Sequence, residues 1–480
     1  MPVDNELSTV NFLNPLLTPH PIHLPHIVIC EVPVKNLTTI ATLISVLTLS
    51  ACSTFEDVEY AQQATTNLEQ LAKGKLTENQ APSITLAQLI AIGELDQLIE
   101  AAFENNPNLQ QTLFSLKIAR EQAQVTDANL WPSVTGNLSA NKSQDANTGY
   151  TAGLEINWTI DIWQQLSDGS DASLANVMAS GFAYQGAKDL LTANIINAYI
   201  GLVQYAQLID IESQRVNKLA TNETIIISRY QQGLTDLKEL DTAKSNTQTS
   251  RATLVSYQAQ YQQALRNLSL LTGVSSHQLK YQEAFPEVSL PAVEITTSNI
   301  GRRPDLQQAY QQIVAAQFQH KVAYKSLLPS LSITGSLTNS DQSLHDALFG
   351  SSTWQLLGRL SAPIFNAGKI SSEAQIAKYT AQQRYWGFQQ QLLTAINEAD
   401  NAIANEKSLE AQLALTKEAL NNAKRSEKSY INRYRQGTVT LLDLLQIQQQ
   451  TFSLQTQVTQ LTFQQLTNRV SLGLALGLGA

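Results

Sequence analysis

Apolar residues occupy the even positions from Tyr150 through Ala152, Leu154, Ile156, Trp158 and Ile160 to Ile162, while Thr151, Gly153, Glu155, Asn157, Thr159 and Asp161 fill the odd ones. A period of two gives a strand with one apolar and one polar face. Three further runs alternate in the same way. Val134, Leu138 and Ala140 alternate with Ser133, Asn137 and Ser139; Leu331, Ile333 and Leu337 alternate with Ser332, Thr334 and Ser336; Trp354, Leu356, Leu360, Ala362 and Ile364 form the last run. The runs fall in two pairs, within 131–162 and 329–364, each about 10 to 14 residues long, enough for a tilted strand to cross an outer membrane. Four of the 5 tryptophans, Trp131, Trp158, Trp163 and Trp354, lie in or beside them, where an interfacial aromatic belt would place them.

Elsewhere the period changes to that of helices. No proline occurs between Pro132 and Pro286 or after Pro363, which permits very long helices. The pattern predicts a helix from Pro107 to about Leu130, one from about Ser167 to Gln232 of roughly 100 Å, and one after Gly233 reaching Thr272 of roughly 57 Å. The first and third together nearly match the second, so they are expected to stack end to end beside it. The long helix carries a coiled-coil seam, Leu191, Ile195, Ala198, Leu202, Tyr205 and Ile209, and a second stripe, Ala193, Ile196, Ile200 and Val203. Two stripes allow neighbours on both sides, as in a closed ring of helices or an ordinary bundle core.

The arrangement occurs twice. NNPNLQQTLFSLKIAREQAQVTDANLWPS (105–133) matches RRPDLQQAYQQIVAAQFQHKVAYKSLLPS (302–330), with both proline pairs offset by 197 residues. RYQQGLTDLKEL (229–240) matches RYRQGTVTLLDL (433–444), and the pairs Gly233/Gly437 and Gly273/Gly477 share an offset of 204. The second copy restarts its helices at Pro304, Ile370 and Thr440. The chain therefore divides into a leader, 1–51, a segment 52–104, copy one, 105–273, a linker, 274–301, and copy two, 302–480.

The leader adds chemistry. KNLTTIATLISVLTLSAC, Lys35 to Cys52, has a lysine, a short apolar stretch and then Leu49, Ser50, Ala51 and Cys52, and resembles a bacterial lipoprotein signal, cut before a cysteine that receives lipid. The residues ahead of it contain no Lys or Arg, which suggests that translation begins at Val34. Ser53 follows the cysteine, and by the same resemblance the lipoprotein goes to the outer membrane. Cys30 and Cys52 are the only 2 cysteines, so the mature chain keeps no thiol for a disulfide, a zinc site or a nucleophile. His277, His320 and His345 show no ligand spacing, and no metal site is expected. A net charge of -9 argues against a nucleic-acid binder.

Open strand edges are intolerable in hydrocarbon, and four strands cannot close around a pore. The pattern therefore implies an α+β membrane protein in which a transmembrane β-barrel is shared among identical protomers and continues into a long α-helical barrel. The lipoprotein cysteine, RRPDLQQAY (302–310), the Pro-Ser strand starts, PIFNAGK (363–369) and the paired RYxxG turns resemble the outer membrane factor family, the TolC-like efflux channels, and especially its lipidated drug-efflux branch. The resemblance runs from about Ala91 to the end.

It implies a homotrimer anchored in outer-membrane lipid by a palmitate-bearing lipid on Cys52, with no other cofactor and with 52–104 in the periplasm. A periplasmic adaptor and an inner-membrane pump are the implied partners, docking near the tip turns Gly233 and Gly437. It also implies a periplasmic gate with Asp443, six residues beyond Gly437, and Glu239 in the matching place of copy one. Gln446 replaces a second carboxylate of the family, and Val439 stands where some relatives carry a latching arginine. A ring of Asp443 side chains would favour cations. A solvated helix face accounts for the same acids, and Pro304 with Asp305 beside Arg302 and Arg303 reads as a helix start. A lipid-anchored coiled-coil structural or adaptor protein would share the helices and the lipobox but not four strands with a lipid-suited face. No catalytic constellation points to an enzyme.

Overall fold

The computed structural model describes residues 59–73, 86, 95–144, 147–277, 284–286 and 297–479. Its elements are α1 (Tyr60–Lys73), α2 (Leu95–Asn105), α3 (Pro107–Asp127), β1 (Ser133–Asn141), β2 (Gly149–Ile160), α4 (Gln165–Gln231), α5 (Leu237–Thr272), α6 (Pro304–Lys325), β3 (Ser330–Asp341), α7 (Leu344–Phe349), β4 (Thr353–Ser361), α8 (Lys369–Arg435) and α9 (Leu441–Ala475). The long helices α4 and α8 each contain 67 residues, and their partners α5 and α9 contain 36 and 35. Helix starts agree with the expected ones within about two residues. Helices α1, α2 and α7 were not foreseen from the pattern, and β4 stops at Ser361, short of Ala362 and Ile364.

Packing orders the helices into a wall. Helix α4 packs against α3 and α5 and also against α6 and α9, while α8 packs against α6 and α9. The expected end-to-end stacking is visible at its joints. Asn106 accepts hydrogen bonds from the N–H groups of Asn108 and Leu109, capping α3, and its amide donates to the Leu271 carbonyl at the end of α5, 3.0 Å away. A Cβ on Gly273 would lie 2.7 Å from that of Asn105, and its φ of 71° is one that side chains resist. At the matching joint Arg303, just before α6, reaches the Ala475 carbonyl at the end of α9. It also pairs with Asp305 at 2.8 Å and Glu398 of α8 at 2.7 Å. Burial alone would lower the Arg303 pKa, but the hydrogen bonds and charges of these two carboxylates raise it. Arg303 and Asp305 are thus structural, as the sequence suggested.

Both stripes of α4 are used. Leu191, Ile195 and Leu202 of one stripe and Ala193, Ile196, Ile200 and Val203 of the other join a single core with α2, Leu268 of α5 and Leu466 and Val470 of α9. Each large side chain buried there contributes about 1.5–3 kcal/mol. Helix α8 adds two seams of strict sevenfold spacing among its buried residues: Ala374, Ala381, Phe388, Ala395, Ala402, and Leu392, Ala399, Glu406, Leu413, Leu420, Glu427. A seven-residue repeat held this long demands left-handed supercoiling. Two glutamates on the second seam are paired. Glu406 accepts from Arg469 at 2.7 Å, Gln465 at 3.1 Å and Asn468 at 3.2 Å, and Glu427 binds Lys218 of α4 at 2.7 Å.

At one end of the wall the strands form an antiparallel sheet in the order β1-β2-β3-β4. Its register puts Ile156 opposite Val134, Leu154 opposite Leu337, Trp158 opposite Ile333 and Leu360 opposite Leu331. One face is therefore apolar, and the other carries mainly Ser, Thr and Asn. The outer edges of β1 and β4 have no strand partner within the described chain.

Candidate functional site

Two places satisfy the sequence-derived criteria for function, the sheet and the opposite end of the long helices. On the sheet, Val134, Leu138, Leu154, Ile156, Trp158, Leu337, Trp354, Leu356 and Leu360 are all exposed on the apolar face. An uncovered apolar sheet face of this extent with open edges is an interaction surface. Trp158 donates its indole N–H to the Leu130 carbonyl at 3.0 Å, and Trp163 to the Pro329 carbonyl at 2.7 Å, fixing both rings where helices meet strands. Trp354 lies at the other end of the sheet, opposite Leu337. On the polar face side chains bond across strands, Thr151 to Ser340 and Thr334 to Asn157, each at 2.9 Å.

The turns Gly233 and Gly437, with φ of 70° and 72°, lie between α4 and α5 and between α8 and α9. In both, a left-handed glycine ends one helix and a capped residue begins the next. Helix length puts them roughly 100 Å from the sheet. The structure brings the two turns together: Ile226 and Leu240 of the first hairpin pack with Leu441, Leu444 and Leu445 of the second.

Asp443 and Glu239 sit in the first turns of α9 and α5. Thr440 accepts from the Asp443 N–H at 3.2 Å, and Asp443 accepts in return from the Thr440 N–H at 2.9 Å and from its hydroxyl at 2.6 Å, a capping box. Those two Thr440 donors hold the Asp443 carboxyl below the usual carboxylate range. In the first hairpin Asp236 caps α5 by accepting from the Glu239 N–H at 2.8 Å, and Glu239 accepts from the Thr235 hydroxyl. Asp443 therefore has a local capping task, which the Thr-x-x-Asp spacing of 440–443 signals, whereas Glu239 is tied to Thr235 and leaves the capping of α5 to Asp236. Val439 and Gln446 flank the second turn without supplying a charge. Cation pairs lie further up: Lys218 binds Glu427, and Arg215 donates to Gln449 at 2.9 Å. Sequence reading missed these links because neither residue of a pair is near the other in the chain.

Cys52, Leu49, Ser50, Ala51 and the alternative start Val34 lie outside the described residues. Among the described residues no group of His, Cys, Asp and Glu has the arrangement of a metal site, and no helix is long and apolar enough to cross a membrane. A cavity of about 580 Å³ lies at the α6–α9 joint, lined by Asp189, Arg303, Asp305, Glu398, Asn401 and Asn405 together with apolar residues such as Leu474 and Leu478. Arg303, Asp305 and Glu398 there are those that tie the joint, while Asp189 accepts from Gln185 of its own helix at 2.8 Å.

The family model for outer membrane efflux protein matches residues 98–274 and 298–478. The chain belongs to the outer membrane efflux protein family. The two matched stretches correspond to the two halves of the wall. Among relatives of this outer membrane efflux protein, the probable outer membrane lipoprotein SilC of Salmonella typhimurium is 26% identical, over 80% of this chain and 86% of its own. The cation efflux system protein CusC of Escherichia coli O157:H7 is likewise 26% identical over the same shares. In three dimensions the chain is similar to the Campylobacter jejuni CmeC outer membrane channel, with a TM-score of 0.77, 22% identity and coverage of 85% of this chain and 91% of that one. The helical-wall architecture is thus that of outer-membrane channels.

Proposed function

We propose that three copies of this chain form the outer-membrane exit duct of a tripartite export system. The sheet carries this reading: its apolar face is exposed and both outer edges are open. Joining β4 of one copy to β1 of the next satisfies the backbone, turns the apolar face to lipid and encloses the Ser/Thr/Asn face around water. The helical wall then closes in the same way, with the free flank of α8 meeting α3 and α5 of the neighbour. Exposed apolar residues lie on these helices, Ile376, Tyr379, Trp386 and Leu393 on α8 and Phe114, Ile118 and Val125 on α3.

In this reading the chain is two copies of one unit, and a lipid on Cys52 anchors the mature protein. The turns at Gly233 and Gly437 form the periplasmic tip, where an adaptor docks and delivers cargo from an inner-membrane pump. Asp443 and Glu239 ring the gate there. SilC is named as a lipoprotein and CusC as part of a cation efflux system, and both names suit this assignment. A coiled-coil adaptor, the competing reading, leaves the apolar sheet face without a use.

Purification from outer membranes tests the proposal. A trimer that survives mild detergent and conducts ions across planar bilayers is expected; a water-soluble monomer with Trp158 and Trp354 shielded from aqueous quenchers contradicts it.

A further inference from the structure

Three charged residues occur within the four strands, Glu155, Asp341 and Arg359. Asp341 ends β3 at the rim, opposite Tyr150. The other two lie within the polar face. Glu155 is opposite Thr135 on one side and Ser336 on the other, while Arg359 is opposite Ser332, which in turn is opposite Thr159. On β3 the two charges thus stand at the levels of Ser336 and Ser332. Four residues of strand separate these levels by about 13 Å, more than the Debye length of about 8 Å at physiological salt. The charges do not neutralise each other.

Neither has an ion-pair partner among the described residues, and Asp161, just past β2, is taken up by the N–H groups of Leu166 and Ser167 and the Ser167 hydroxyl at the start of α4. Asn157 donates to Glu155 at 2.9 Å while accepting from Thr334 at 2.9 Å, which keeps the carboxylate on the polar surface without a cation. Arg359 is exposed and makes no hydrogen bond or ion pair among the described residues. Strand β1, SVTGNLSAN, contains no charge at any position. Whatever the register in which a neighbour's β1 pairs with β4, it offers Arg359 no carboxylate.

We infer that Arg359 and Glu155 set the charge preference of the strand-built pore as two opposed tiers. The Arg359 tier, nearer the helices, favours anionic groups and repels cations; the Glu155 tier, farther out, does the reverse. A bare ion of either sign meets one unfavourable tier. Uncharged solutes and solutes carrying both charges pass both, so these are the cargo classes the pore favours. This inference rests on the proposed reading in which the polar face lines the lumen.

The β3 serines provide reporters. Ser332→Cys and Ser336→Cys are made in the full-length chain, in outer-membrane vesicles, and reacted with equally sized thiol reagents bearing one positive or one negative charge. The unsubstituted chain supplies the background. At about 0.1 M salt, where screening acts over about 10 Å and keeps the two levels independent, the anionic reagent is expected to react about twofold faster than the cationic one at position 332, and the order to reverse at 336, with both ratios approaching one in about 1 M salt. Arg359→Gln should abolish the preference at 332 only, and Glu155→Gln that at 336 only. Equal rates at both positions, or preferences unmoved by Arg359→Gln and Glu155→Gln, overturn the inference while leaving the duct intact. Leu331→Cys separates the two levels of failure. If charged reagents reach position 331 but neither serine position, the polar face does not line an aqueous lumen, and the duct reading falls together with the inference.

Discussion

Thr440 and Asp443 show how much a single residue near the tip is asked to do. Asp443 was singled out as a gate acid, yet its carboxylate is occupied by the N–H and hydroxyl of Thr440. A carboxylate held below its ordinary pKa stabilises the folded form above the unfolded pKa and loses that contribution as pH falls. The α9 cap is therefore expected to be intact above about pH 5 and to loosen below about pH 4. Thr440→Val removes the side-chain half of the box and should cost about 1 kcal/mol locally, read as roughly fivefold faster amide exchange at Asp443 with the sheet end unchanged. Exchange that stays equally slow in Thr440→Val would mean that tip packing, rather than the cap, holds the start of α9. The tip glycines were legible because left-handed turns leave few alternatives to glycine. The capping partner of Asp443 was legible only as a Thr-x-x-Asp spacing.

At the scale of elements, the helices follow from proline placement and periodicity, but their pairing depends on polar residues buried in apolar seams. Glu406 is buried on the α8 seam and neutralised by Arg469 of α9, whose side chain is also mostly buried. Removing one partner leaves a charge in an apolar groove, so Arg469→Met is expected to destabilise the α8–α9 pairing by about 3 kcal/mol. The double replacement Glu406→Leu with Arg469→Leu should regain most of that loss. Protease resistance of the purified protein during heating reads both, and equal losses in single and double variants would show that the pair is not what joins these helices. Composition and period did not disclose this pair, since Glu406 and Arg469 belong to different helices and meet only once α8 and α9 lie antiparallel.

For the whole molecule, the decisive property is the two-faced sheet. Leu356 and Gln355 are neighbours on β4 but belong to opposite faces, Leu356 opposite Gly335 and Gln355 opposite Ser336. If the apolar face meets hydrocarbon, Leu356→Lys costs about 2–4 kcal/mol near the bilayer midplane and prevents recovery of trimer in the outer membrane. Gln355→Lys, one residue away, should leave assembly intact. Equal tolerance of both changes would remove the membrane from the account.

Strand alternation, proline placement and the offset repeats are properties of the chain read in order: the periods depend on residues within one or two turns or pleats of each other, and the repeats restate those local patterns at an offset of 197 to 204 residues. They determined the four strands, the matched long helices and the left-handed turns at Gly233 and Gly437. Which columns stand side by side, how Arg303 ties three helices at one joint, and why Glu406 tolerates burial depend on residues tens to hundreds of positions apart. Only folding brings these into hydrogen-bonding range. The same is true of Arg359 and Glu155, two ordinary charges in the sequence that the register of three strands sets on one polar face, about 13 Å apart along the strands and out of each other's electrostatic reach.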